Sequence, residues 1–214
     1  IASDNTTTTL AKVDDVVTLT FTASEAIGTP VVTFTSGSAA ITDTSITYAS
    51  SGNTWTAKYT ANTSDTNGTV AYSIAFSDLS SNAGTAVTSG SGSVTFDKTA
   101  PVLSSFAAIA SNNSTTTLAK VSDVVTLTFT TNETISTPVV TFESGSAAIT
   151  DTSITYVNTS GNTWTAAYTT DGADTDGSVT YSIAYSDLAG NAQSPASSGS
   201  GSVTFDKTAP TLSS

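Results

Sequence analysis

The stretch ASDNTTTTLAKV at residues 2–13 returns as ASNNSTTTLAKV at 110–121. ITDTSITY (41–48) returns at 149–156, and SGNTWTA (51–57) at 160–166. YSIAFSDL (72–79) returns as YSIAYSDL (181–188), and SVTFDKTAP (93–101) is unchanged at 202–210. The copies are 108 to 109 residues apart, the length of a whole small domain, so the 214 residues read as two modules in tandem. The offset is 108 early in the repeat and 109 later. The extra residue falls in YVNTSGN against YASSGN, a turn, where an insertion is cheap. Ile1 aligns with Ile109 and Ser214 with Ser105, so a section of a longer array of the same module is expected. The domain boundaries read as repeat 1 over 1–98, without the start of its first strand, repeat 2 over 99–207, and the opening of a further repeat over 208–214.

The apolar period within each copy is two, the period of a half-buried strand. In VVTLTFT (16–22), Val17, Leu19 and Phe21 share one face, and Thr18, Thr20 and Thr22 the other. TWTAKYT (54–60) sets Trp55, Ala57 and Tyr59 inward. Thr is β-branched and suits the exposed side of a pleated surface. Gly, Asn, Asp and Ser cluster between the apolar runs, as turns require. Repeat 2 is predicted to hold seven strands, A (102–109), B (123–130), C (138–143), D (149–157), E (163–169), F (178–185) and G (200–205). The fold class is all-β, with two tandem immunoglobulin-like antiparallel β-sandwiches. Trp55 and Trp164 could form a sugar-stacking platform, but their inward phase favours core packing.

Composition narrows the function. Seventeen acids against five Lys give a net charge of −12, which excludes a phosphate-binding surface and repels anionic lipid. No run is apolar enough to insert in a membrane. There is no Cys and no His, so thiol and imidazole chemistry are absent, and Ser has no base to activate it. Two small sandwiches imply no cleft for paired carboxylates to work in, so no enzymatic activity is expected. An acidic surface attracts metal cations instead.

In a seven-strand sandwich the B–C and F–G loops share the N-terminal end with the incoming linker. The E–F loop shares the C-terminal end with the exit of strand G. Asp65 and Asn67 of repeat 1, Asp97 of the linker, and Glu133, Asp187 and Asn191 of repeat 2 are therefore expected at one junction. The same placement assigns Glu25, Asp78 and Asn82 to an N-terminal half-site, and Asp171, Asp174, Asp176 and Asp206 to a C-terminal one. Converging carboxylates repel, and Ca²⁺, which takes 6–8 oxygen ligands, removes that cost. Each of these residues, taken alone, is also an ordinary turn former.

The motifs SDLAGN, SE or NE after strand B, and VTFDKTAP resemble those of the bacterial immunoglobulin-like tandem repeats of large repeat-in-toxin and biofilm-associated surface adhesins. The resemblance spans both repeats. It implies an extracellular spacer that projects a terminal domain from the cell and is stiffened by calcium at its junctions. It points to Asp97 and Asp206, Glu25 and Glu133, and Asp78 and Asp187. Repeat 1 departs from the pattern, with SDLSSNAG where repeat 2 has SDLAGNAQ. The expected partners are neighbouring repeats of the same chain, or identical chains in a lattice or filament, with no nucleic acid and no membrane insertion. A surface-layer, sheath or filament block and a glycan- or protein-binding module are the other readings. Ligand choice would reside in unlike loops, and the two repeats keep nearly the same ones.

Overall fold

The computed structural model describes residues 1–212, and for Phe106 the backbone alone. The expectation for 208–214 therefore lies partly outside the described residues. The chain divides into two compact units, Ile1–Thr99 with Leu188–Asn191, and Ala100–Asp187 with Ala192–Ser214. The first contains β1 (Ala2–Ser3), β2 (Leu10–Ala11), β3 (Val16–Thr22), β4 (Val31–Ser36), β5 (Ala39–Ala40), β6 (Thr47–Ser51), β7 (Thr54–Thr60), β8 (Gly68–Ala75) and β9 (Thr95–Phe96). They make sheets of order β1-β3-β7-β6 and β2-β9-β8-β4-β5. The second contains β10 (Leu103–Ser111), β11 (Leu118–Ala119), β12 (Val124–Thr131), β13 (Val139–Ser144), β14 (Ala147–Ala148), β15 (Thr155–Ser160), β16 (Thr163–Thr169), β17 (Gly177–Ala184), β18 (Gly199–Ser200) and β19 (Thr204–Phe205). Its sheets run β15-β16-β12-β10-β18 and β11-β19-β17-β13-β14. The described residues include no helix, and so none long and apolar enough to cross a membrane.

The period-two pattern delivers its apolar half to the space between each pair of sheets. In β7, Ala57 and Tyr59 are buried while Lys58 and Thr60 face water. Burying each large apolar side chain contributes about 1.5–3 kcal/mol. Phe34 and Tyr59 pack with ring centroids 4.8 Å apart, and Phe142 and Tyr168 repeat the pair at 4.8 Å. The Tyr48 and Tyr156 hydroxyls accept the Val32 and Val140 N–H groups, both at 2.9 Å. Trp164 is half-buried against the second core, and Trp55 is half-buried opposite Phe21 in register.

Two strands differ from their predicted extents. Strand D begins at Thr155 and not at 149. Upstream, Thr150 gives its N–H and its hydroxyl to Asp174 Oδ1, each at 2.8 Å, and Ser153 N–H donates to Asp151 at 2.8 Å. Side-chain oxygens thus take the backbone donors that a ladder would use. Strand G is split: β18 pairs parallel with β10, and β19 pairs with β11 and β17. Gly199 permits the first contact, since a Cβ there would collide with the Ala107 carbonyl. The short strands β2 and β11 carry the first strand across to the other sheet, a step hidden in a Thr-rich run without apolar alternation.

Candidate functional site

The bridges Ile27↔Asp78 and Ile135↔Asp187 join the B–C and F–G loops of each unit. In the first unit Glu25, Asp78 and Asn82 line one crevice of about 370 Å³. Asp78 Oδ1 accepts the Ser80 and Asn82 N–H groups at 2.8 Å, and Oδ2 accepts the Asn82 amide at 2.7 Å. The Asn82 side chain, then its backbone, holds this carboxyl below the usual Asp range. In the second unit a Glu133 and an Asp187 carboxylate oxygen lie within 4.8 Å of one another. Asp187 is only 2% exposed, and Ile135 beside it 3%. Two carboxylates this close, one withdrawn from water, repel when both are ionised. Asn191 belongs to the Leu188–Asn191 segment that groups with the first unit.

At the other end of each unit the acids hold the chain. Asp65 is 1% exposed, and its oxygens accept Thr42 N–H at 2.7 Å, Thr42 Oγ1 at 2.8 Å and Asn62 N–H at 2.9 Å. Asp174, also 1% exposed, accepts the Thr150 pair and Asp171 N–H at 2.9 Å. Asp171 in turn accepts Ala173 N–H at 2.8 Å. Beside these buried acids, burial pushes the Tyr59 and Tyr168 phenols up, and the Asp65 and Asp174 charges push them further.

The exit of strand G is fastened to the E–F loop in both units. Asn67 Nδ2 donates to Asp97 Oδ1 at 2.9 Å and to Thr99 Oγ1 at 2.8 Å, while Lys98 N–H donates to Asn67 Oδ1 at 3.0 Å. Lys98 Nζ reaches the Thr63 and Asp65 carbonyls at 2.8 and 2.7 Å. Lys207 Nζ reaches Gly172 and Asp174 carbonyls at 3.0 and 2.7 Å, and its N–H donates to Asp176 Oδ1 at 3.0 Å. Thr208 Oγ1 donates to Asp176 Oδ2 at 2.9 Å, and Thr208 N–H to Asp206 at 2.8 Å. The Lys207 N–H, then the Thr208 hydroxyl, lowers the Asp176 pKa.

Sequence reasoning missed the two lysines, although their presence in both copies of FDKTAP was a signal. It also missed Asp15 and Asp123, which brace the A–B corner. Asp15 accepts the Asn5 amide at 2.7 Å and Lys12 Nζ at 2.9 Å; Asp123 accepts Asn113 at 2.8 Å and Lys120 Nζ at 3.1 Å. Burial pushes Asp15 up, but the Asn5, then the Lys12, hydrogen bonds outweigh it and the pKa falls.

No family model matches the chain, and no curated protein does. Solved structures do show likeness. The I67–I69 fragment of the titin I-band aligns over 96% of this chain at 13% identity, with a TM-score of 0.43. By its own strands and sheet order each unit is an immunoglobulin-like β-sandwich. The tandem Ig repeats of Dlar align over 97% of this chain and 95% of theirs, at 12% identity and a TM-score of 0.27. Titin domains Z1Z2 in complex with telethonin align over 94% and 92%, at 15% identity and a TM-score of 0.28. The chain spans 64% of the I67–I69 fragment's length.

Proposed function

We propose that the protein is a non-catalytic spacer section of an extracellular, cell-surface repeat protein of the adhesin type. The observation that carries this reading is the duplicated fastening of strand G to the E–F loop, through Lys98 and Asn67 in one unit and Lys207 and Asp176 in the other. A module whose task is to hold its successor must fix the direction in which its chain leaves. Pro101 and Pro210 follow at once, with a fixed φ that restricts the residue before each to extended backbone. Near-identical loops argue against a recognition module, whose loops would differ.

The calcium part of the proposal rests on Glu133 and Asp187, the two carboxylates that the B–C and F–G loops of the second unit bring together. Ca²⁺ accepts a mixture of carboxylate, amide and carbonyl oxygens. Glu25, Asp78 and Asn82 are the corresponding set at the start of the chain, and Asp206 is the linker acid at its end. Asp65, Asp171, Asp174 and Asp176 support the loops that carry the joint. Calorimetric titration with Ca²⁺ tests the metal: binding that is lost in Asp187→Asn supports it, and heats unaltered by that substitution contradict it. Limited proteolysis tests the spacer: cleavage between 97 and 101 should accelerate in Lys98→Ala. Unchanged cleavage there would remove the support for a fastened exit.

A further inference from the structure

The two copies of the clasp between the E–F loop and the exit of strand G differ at one chemically decisive position. Asn67, followed by Gly68, stands in the first unit where Asp176, followed by Gly177, stands in the second. Asn67–Gly68 is the single Asn-Gly step in the chain, and Asn67 is exposed. An asparagine carboxamide is open to attack by the backbone nitrogen of the next residue, and glycine, without a Cβ, leaves that nitrogen unhindered. In the folded unit the linker holds the carboxamide. Asn67 Nδ2 donates to Asp97 Oδ1 at 2.9 Å and to Thr99 Oγ1 at 2.8 Å, and Oδ1 accepts the Lys98 N–H at 3.0 Å. Gly68 opens β8 in register with Phe96, at a φ of +137°, and a Cβ there would lie 2.8 Å from the Gly37 Cα. Cyclisation requires the carboxamide to leave the clasp and turn onto the Gly68 nitrogen, so the reaction belongs to a locally opened state.

We propose that Asn67 is a self-modification site, which deamidates through a succinimide when the clasp opens and so converts the first exit to the chemistry of the second. The Gly68 nitrogen bonds to Asn67 Cγ, the Cγ–Nδ2 bond breaks, and Nδ2 departs as ammonia with the proton of the Gly68 amide. Water, the only co-reactant, then opens the ring. Opening at Cγ gives aspartate. Opening at the backbone carbonyl carbon of residue 67 gives isoaspartate, with the chain running through the side chain. The second unit shows that the aspartyl product has a place. Asp176 Oδ1 accepts the Lys207 N–H at 3.0 Å, as Asn67 Oδ1 accepts that of Lys98. Its Oδ2 accepts the Thr208 hydroxyl at 2.9 Å, and the Thr208 N–H donates to Asp206 at 2.8 Å. In the first unit the Thr99 N–H already donates to Asp97 at 2.9 Å, so only the Thr99 hydroxyl has to turn its proton toward the new carboxylate. Isoaspartate has no such place, because an added backbone methylene carries Gly68 out of register with Phe96. The inference goes beyond the spacer reading and does not rest on calcium.

The experiment ages the full chain in warm, mildly alkaline buffer with EDTA, which separates it from the metal proposal. Peptide mass spectrometry follows each asparagine, and enzymatic methyl transfer scores isoaspartate. A double variant, Asp97→Ala with Thr99→Val, removes both acceptors of the Asn67 carboxamide, and the parent chain in urea gives the rate without any clasp. Conversion at Asn67 is expected to be fastest in urea and several-fold faster in the folded variant than in the folded parent. Asn62, exposed in the same loop but followed by Thr63, should convert far less in all three. Equal rates at Asn67 for folded parent and folded variant would overturn the inference, as would conversion spread evenly over the exposed asparagines. Circular dichroism confirms that the variant has folded, and Thr99→Val alone, which removes one acceptor, replaces it if it has not. Asn67→Asp, the aspartyl product, should be cleaved between 97 and 101 as slowly as the parent. Rapid cleavage there would show that the first exit does not accept the chemistry of the second.

Discussion

Asp65 and Asp174 show how a single acid can be structural in so acidic a chain. Each is almost fully buried and each closes a loop by accepting three hydrogen bonds. Removing one leaves buried donors without a partner, at about 1–3 kcal/mol for each. Asp174→Ala is therefore expected to lower stability by about 2–3 kcal/mol in chemical denaturation, and a loss within experimental error would contradict this role. Asp43 and Asp151 show a second effect. Backbone N–H groups of Thr60 and Ser45, and of Thr169 and Ser153, hold the two carboxyls below the ordinary range. Because the folded value is the lower one, their stabilisation is complete above the unfolded pKa of about 3.9. It is lost as pH falls through the folded value. Acid unfolding of the Asp43→Asn, Asp151→Asn double variant should accordingly depend less steeply on pH below about 4; an unchanged slope would count against the assignment.

At the level of the element, the long strands were legible because burial imposes the period of two directly on Val17, Leu19, Ala57 and Tyr59. Strands β2, β11 and β18 were not, because two-residue pairings set by a neighbouring strand leave no periodic trace. The loop acids were legible as candidates through their chemistry. Sequence alone could not divide acids that bind backbone, such as Asp65, from those that face another carboxylate, such as Asp187. That division depends on where each loop folds back, and Gly145 is one place where it does. Its φ is +57°, and a Cβ there would collide with the Asp176 carbonyl of the E–F loop. Gly161 has φ +55° with open space around it. Gly161→Ala should cost only the left-handed strain of about 1–2 kcal/mol. Gly145→Ala should cost clearly more and should also loosen the Asp176–Lys207 contact. Equal melting temperatures for the two variants would mean that the approach of the C–D turn to the E–F loop is not tight.

At the level of the whole molecule, the proposed spacer role rests on two modules that repeat the same fastened exit, with a proline after each. The metal proposal adds that a cation relieves the repulsion between Glu133 and Asp187. A ligand at 100 times its Kd adds about 2.7 kcal/mol to stability by mass action alone. The most direct measurement is thermal unfolding of the 214-residue chain and its Asp187→Asn variant. Each is measured in EDTA and again in about 2 mM Ca²⁺, above the 10⁻⁴–10⁻³ M range of extracellular calcium modules. The parent chain is expected to melt several degrees higher with Ca²⁺, and the variant to show little or none of that gain. Identical melting in EDTA and Ca²⁺ for the parent chain would contradict the calcium-stiffened spacer.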